Sequence, residues 1–316
     1  MTETALRPQG RAPETQTPSS RYRQLDLRPT PHYIRVDDLD RGNFRDVPES
    51  LLLCGDAQEA LSLLPECSVQ TVLTSPPYWS LRDYEVENQI GRNDSLESYL
   101  EKLVGAFEEI RRVLREDGTV WLNVGDSYTS GNRTYRAPDR KNRARAMQVR
   151  PPTPEGLKPK DLIGVPWRLA LALQSAGWWL RGEIIWYKPN AHPESVRDRP
   201  TKAHETVFLL SKDKDYYYDV KAVRGPGGRR LRSVWELPTE PVRRSGFWKD
   251  DHPAMMPISL ARRCVEITSS GDSVVLDPYA GSGTTLLAAE ELGRRWIGVE
   301  IKSSFVDLIE HRMGEL

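Results

Sequence analysis

From Leu51 onward, short apolar runs alternate with longer amphipathic stretches, and this alternation limits the fold more than any other feature of the chain. Leu51–Cys54, Val69–Thr74, Thr119–Val124, Glu183–Tyr187, Thr206–Ser211, Ser273–Asp277 and Trp296–Glu300 have strand length and strand composition. Ala57–Leu64, Leu96–Leu114, Pro166–Ala176, Pro257–Thr268, Thr284–Leu292 and Ser303–Arg312 space their apolar residues as helices do. Strands that are apolar throughout must be covered on both faces, which predicts a parallel sheet between two helical layers. The expected fold class is α/β, a doubly wound sheet of seven strands. Such a sheet binds its ligand at the carboxyl ends of its strands.

Composition bounds the rest. The 45 Lys and Arg balance 45 Asp and Glu, so any affinity for nucleic acid rests on local asymmetry. Cys54, Cys67 and Cys264 are far apart and form no CxxC, which argues against a metal centre or a disulfide framework. No apolar run approaches the roughly 20 residues that span a bilayer, and the N-terminus lacks a signal-peptide core. The expectation is a soluble, cytoplasmic protein with no metal and no membrane partner. Residues 1–46 are rich in Pro, Arg, Thr and Gln and read as a solvated tail, its first twenty or so residues disordered. A DNA-contacting arm is the alternative reading of that tail.

Two stretches break the alternation. Tyr128–Lys160 contains Arg140, Lys141, Arg143 and Arg145 among further basic residues, against only Asp139 and Glu155. Lys212–Asp250 carries Arg229, Arg230, Arg232, Arg243 and Arg244, with Trp235, Phe247 and Trp248 interleaved. Neither reads as regular core. A charge run is commonly a solvated surface, but two that interrupt an enzyme-like domain, one of them mixed with aromatic residues, fit nucleic-acid contact.

The run Ser273–Asp277 ends in Pro278-Tyr279-Ala280-Gly281-Ser282-Gly283-Thr284-Thr285, and a helix begins near Thr284. Glycines at a strand-to-helix turn let the backbone approach a ligand. A phosphate-gripping loop would need a lysine after the glycine, and a dinucleotide turn would need a further glycine or alanine at fixed spacing; both are missing. The next strand ends in Glu300, a carboxylate placed to accept hydrogen bonds from ribose hydroxyls. The pattern suits an adenosine cofactor without pyrophosphate, while a structural turn plus a surface acid remains the plainer reading.

Val69–Thr74 leads into Ser75-Pro76-Pro77-Tyr78-Trp79. Two prolines make this turn rigid and leave its carbonyls free to accept. An exocyclic amine on a base is a poor nucleophile, because its lone pair is delocalised into the ring. Accepting hydrogen bonds from both amine hydrogens favours a more pyramidal, reactive nitrogen. The Ser75 hydroxyl and the Pro76 carbonyl are suitable acceptors, and the Tyr78 ring offers a stacking face for a flipped base. On this reading the ring matters and the Tyr78 hydroxyl does not. The alternative is an ordinary Pro-Pro turn with a packed tyrosine.

Together these segments resemble the amino-methyltransferase family of DNA-modifying enzymes over most of residues 50–316. Thr74-Ser75-Pro76-Pro77-Tyr78-Trp79 is similar to the family's catalytic motif IV. Asp277-Pro278-Tyr279-Ala280-Gly281-Ser282-Gly283-Thr284-Thr285 is similar to its cofactor motif I, with Tyr279 where Phe is usual. Gly298-Val299-Glu300, followed by Ile301, matches motif II; Gly55-Asp56 matches the strand-end acid of motif III; His252-Pro253 resembles motif X. The resemblance implies a Rossmann-like S-adenosyl-L-methionine methyltransferase sheet. Motif IV precedes motif I, the order of the circularly permuted β-group.

The implied organisation is a tail over 1–46, a catalytic half over 47–211 with the basic loop 128–160, a target-recognition region over 212–250, and a cofactor half over 251–316. The implied cofactor is S-adenosyl-L-methionine, held by Asp56, Thr74, His252, Pro253, Asp277 through Thr284, Glu300 and Ile301. The implied partner is double-stranded DNA, with Trp79 and Arg82 joining the two basic stretches in contacting it and a cognate restriction endonuclease as functional companion. Arg82 and Asp83 would touch the base or orient Tyr78, with salt-bridge packing as the alternative. Serine at the head of the SPPY turn resembles the cytosine-N4 branch; adenine-N6 enzymes usually carry Asp or Asn there. The expected activity is methylation of cytosine N4, with adenine N6, RNA or protein methylation, and a catalytically silent DNA module as alternatives.

Overall fold

The computed structural model describes residues 33–39, 44, 50–81, 83–84, 86, 89–129, 151–191, 193–240 and 256–314. The chain runs β1 (Ile34–Arg35), β2 (Ser50–Cys54), α1 (Ala57–Leu63), β3 (Val69–Thr74), α2 (Leu96–Val113), β4 (Leu114–Val124), α3 (Val165–Ser175), β5 (Trp179–Tyr187), β6 (His204–Ser211), β7 (Val234–Glu236), α4 (Ile258–Thr268), β8 (Val274–Asp277), α5 (Thr284–Glu291), β9 (Arg295–Glu300) and α6 (Ser303–Gly314). Every strand and helix expected from the apolar pattern is present, but β4 starts at Leu114 rather than Thr119 and β5 at Trp179 rather than Glu183. The sheet, however, has nine strands rather than seven, in the order β1-β2-β9-β8-β3-β4-β6-β5-β7.

The two additional strands sit at the edges and are too short to show a period of two. β1, of 2 residues, lies within the expected tail. Val36 follows it and packs so closely on Gly55 that a Cβ there would lie 2.6 Å from the valine. β7, of 3 residues, lies within the arginine-rich stretch expected to be irregular, and its Trp235 is buried in the core. The sheet is also mixed: β6 pairs antiparallel with both β4 and β5.

Alternation along the strands sorts the core into two layers. Leu51, Leu53, Val72, Val120, Leu122, Phe208 and Ile297 face α1, α2 and α3. Leu73, Trp121, Val207, Leu209 and Val275 face α4 and α5, while Leu52 and Cys54 meet α5 and α6. No described helix is long and apolar enough to cross a membrane.

β3 and β8 are neighbours and parallel. From β8 the chain winds outward through α5 to β9; from β3 it winds the other way through α2 to β4. Strand order therefore reverses between them, which opens a crevice at their carboxyl ends. The SPPY turn and the glycine turn leave from these two strands.

Candidate active site at the junction of β3 and β8

Asp277 ends β8 with a carboxylate buried beneath the glycine turn. Its Oδ1 accepts from Thr74 Oγ1 at 2.8 Å and from the Tyr279 amide at 3.1 Å, and Oδ2 accepts from Thr285 Oγ1 at 2.7 Å. Burial pushes this carboxyl up to about 6, against the pull of those hydrogen bonds. Asp277 and Thr74 therefore organise the crevice from below. Gly283 caps α5 at φ +77°, and a Cβ there would lie 2.9 Å from Ile309, so both conformation and space demand glycine.

Glu300 ends β9 beside this turn. Its Oε2 accepts from the Gly281 amide and its Oε1 from the Lys302 amide, both at 2.8 Å. Burial pushes its carboxyl up to about 7. Each oxygen keeps a further acceptor site. Ile301 follows and is 40% exposed. The Tyr279 hydroxyl is buried without a hydrogen-bond partner among the described residues, and its pKa is raised by burial and then by Asp56 and Asp277. Asp56 caps α1 through Oδ1, which accepts from the Gln58 and Glu59 amides at 2.8 and 3.1 Å. Pro278, Ala280, Ser282 and Thr284 are buried in the same turn.

Across the crevice, the Pro77 carbonyl accepts from Tyr99 Oη at 2.9 Å, which pins the SPPY turn to α2. Among the described residues the Pro76 carbonyl accepts no hydrogen bond. The Tyr78 ring lies flush on Gly125, where a Cβ would stand 2.4 Å from the ring. The Tyr78 hydroxyl is engaged as well as the ring. It meets Ser75 Oγ at 3.2 Å, Glu205 Oε2 at 3.1 Å and Asn123 Nδ2 at 3.3 Å.

Residues 69–311 match the N6/N4 methyltransferase family, described as DNA methylase. The chain belongs to that family. It is 49% identical over 284 residues to the Type II methyltransferase M.Cfr9I of Citrobacter freundii, covering 89% of this chain and 93% of the relative. It is 51% identical over 268 residues to the Type II methyltransferase M.SmaI of Serratia marcescens, covering 83% and 90%. The fold is shared with the PvuII DNA methyltransferase, cytosine-N4-specific, at TM-score 0.64 and 20% identity over 84% of this chain and 87% of that one. A Thermus thermophilus protein described as a putative DNA modification methylase, solved with S-adenosyl-L-methionine, matches at TM-score 0.59 and 27% identity, over 84% of this chain and 93% of that one.

Against this N6/N4 methylase frame, the expected DNA contacts divide. Trp79 is 3% exposed, with its indole donating to the Asp94 carbonyl at 3.0 Å, so it is core rather than a DNA-facing ring. Asp83 pairs with Arg92 at 2.8 Å, which is the salt-bridge reading of that residue. Arg229, Arg230 and Arg232 are exposed, but they precede β7, which runs parallel to β5 towards the catalytic edge. Arg230 shares a cavity with Tyr218, Asp219 and Ile267. Tyr217 and Asp219 are tied by backbone hydrogen bonds to Asp117, near the start of β4, and to Ile267, near the end of α4. These arginines therefore lie towards the sheet edge opposite the SPPY turn. Arg82, Arg140, Lys141, Arg143, Arg145, Arg243, Arg244, His252 and Pro253 lie outside the described residues.

Sequence reasoning missed a charged cluster beside Tyr78. Glu205 is the second residue of β6, Lys188 follows β5, and Asn123 lies near the end of β4. Glu205 Oε1 pairs with Lys188, and Oε2 accepts from Asn123 Nδ2 at 3.1 Å as well as from Tyr78. Burial would raise the Glu205 pKa, but Lys188 and the hydrogen bonds outweigh it and hold the carboxyl below its usual value. Lys202 lies half-buried nearby; burial lowers its pKa, partly offset by Asp126 and Glu205. The expected strand began at Thr206, one residue past Glu205, which concealed this cluster.

Proposed function

We infer that this DNA methylase transfers a methyl group from S-adenosyl-L-methionine to the N4 amine of a cytosine flipped out of duplex DNA. The observation that carries the reading is Ser75 Oγ and a Pro76 carbonyl unengaged among the described residues, one residue apart at the topological switch point and across from a turn suited to adenosine. The cofactor would supply an electrophilic methyl on a sulfonium. Glu300 offers its spare acceptor sites to ribose hydroxyls, Tyr279 a buried hydroxyl with no partner among the described residues, and Ile301 an exposed apolar surface for a ring. This chain's own residues then position the base. Ser75 and Pro76 accept from the amine, and Tyr78, backed by Gly125, stacks on the ring.

Relatives named Type II methyltransferases support a role in protecting host DNA beside a restriction endonuclease. Catalysis would face DNA at the carboxyl edge, where the chain leaves β4 and β7. Adenine N6 is the second reading, because the matched family spans both amines. Transfer of labelled methyl to unmodified duplex DNA, RNA and protein separates the substrate classes. Incorporation into duplex DNA alone is expected; incorporation into RNA or protein and not DNA contradicts the reading.

A further inference from the structure

The network behind Tyr78 has a direction. An ionised carboxylate only accepts hydrogen bonds, so Tyr78 must donate its single proton to Glu205 Oε2. The Tyr78 oxygen is then left to accept, and Ser75 Oγ donates to it at 3.2 Å while Asn123 Nδ2 donates at 3.3 Å. With its proton committed inward, Ser75 presents only lone pairs to the crevice. Both donors of the series, Ser75 and Tyr78, point away from the place where the amine would sit, and Glu205 receives at its end.

The chemistry needs such a path. When the amine nitrogen attacks the methyl carbon, the carbon–sulfur electron pair returns to sulfur and the nitrogen becomes cationic. A cationic nitrogen on an aromatic amine is a strong acid and must release a proton. We propose that Ser75, Tyr78 and Glu205 form a proton relay that removes this proton from the methylated amine. The nitrogen gives its proton to Ser75 Oγ as Ser75 passes its own to Tyr78, and Tyr78 passes its own to Glu205. Each oxygen gains one proton and loses one, except the carboxylate, which ends protonated. Lys188 keeps Glu205 ionised before the reaction, from the other oxygen. The Glu205 side chain is 19% exposed, so water can take the proton afterwards.

Ser75 is the catalytic residue of this relay, and Tyr78 acts through its hydroxyl as well as its ring. Glu205, Lys188 and Asn123 act behind them and touch no substrate. The relay rests on the amino-methyltransferase reading above.

The test is single-turnover methyl transfer to PCR-amplified, unmodified duplex DNA in mixtures of light and heavy water. Tyr78→Phe keeps the ring and breaks the relay; Glu205→Gln keeps its volume and removes the carboxylate that would take the proton. Both variants should bind cofactor as the parent does. Both should slow transfer by about 10- to 100-fold, the low end of what a positioned general base contributes. The parent should show a solvent isotope effect that bows with deuterium content, because several protons move together, and Tyr78→Phe should lose the bow. Parent-like rates in both variants overturn the relay. So do slow variants with the parent's isotope behaviour, since that marks a positioning role only. A parent protein that methylates no DNA overturns the functional reading itself.

Discussion

Thr74 Oγ1 donates to Asp277 Oδ1 at 2.8 Å, joining the ends of β3 and β8 across 203 residues of sequence. One end carries the SPPY turn and the other the glycine turn, so this bond fixes the methyl-accepting side of the crevice relative to the cofactor side. Both residues are buried, and without the Thr74 donor Asp277 Oδ1 keeps only the Tyr279 amide, at a desolvation cost.

Thr74→Val keeps the shape and removes the donor. It should cost about 1–3 kcal/mol of stability and weaken cofactor binding, whereas Thr74→Ser should restore most of both. Denaturant unfolding and calorimetry with S-adenosyl-L-methionine measure the two effects. A valine variant with unchanged stability and affinity would show that the bond is incidental.

Most of the fold was legible because apolar runs such as Val69–Thr74 are buried on both faces and carry their own signal. β1 and β7 were not, because 2 or 3 residues cannot display a period. The turns of the site were legible because glycine and proline punctuate them. The Glu205 cluster was not, because it is assembled by pairing: β6 lies between β4 and β5, and only that register brings Glu205 to Asn123 and Lys188. The place of the arginines before β7 was hidden for the same reason. Their composition suits DNA, but the parallel pairing of β7 with β5 sends them to the other edge.

Cofactor binding should depend on pH through Glu300. Burial pushes the free carboxyl up to about 7 in the folded protein, and ribose hydroxyls favour its ionised form. Affinity should fall by up to about tenfold for each pH unit below that value, and binding near neutrality should release a proton. The stability sign is opposite. A raised carboxyl favours the folded state below its unfolded pKa, and that contribution is lost as pH rises through about 7. Calorimetry in buffers of different ionisation heat reads the proton directly. In Glu300→Gln the pH dependence should vanish; its persistence would assign the proton elsewhere.

Gly125→Ala should act on catalysis through Tyr78. The added methyl would stand 2.4 Å from the ring and must displace it. Methyl transfer should fall at least about tenfold, in keeping with loss of base–aromatic stacking worth about 1–3 kcal/mol, while cofactor affinity stays at the parent level. Rapid-quench assays paired with calorimetry separate the two. Parent-like turnover would mean that the ring has room to move without consequence.

Charge neutralisation should distinguish the two edges of the sheet. Arg229→Gln with Arg230→Gln should leave DNA affinity and its salt dependence unchanged, because these side chains lie towards the far edge. Neutralising Arg140, Lys141, Arg143 and Arg145 should weaken binding to all sequences and flatten the salt dependence. Binding titrations at several salt concentrations decide between them. A loss confined to the Arg229 and Arg230 pair would place DNA on the opposite edge.

The identity of the methylated base tests the central claim most directly. Duplex DNA treated with the purified chain and S-adenosyl-L-methionine would be digested to nucleosides and analysed by mass spectrometry. Ser75 at the head of the turn, with its lone pairs turned to the crevice, predicts N4-methylcytosine as the only new nucleoside. N6-methyladenine in its place would contradict the cytosine assignment, and no modified nucleoside at all would contradict the account of the site.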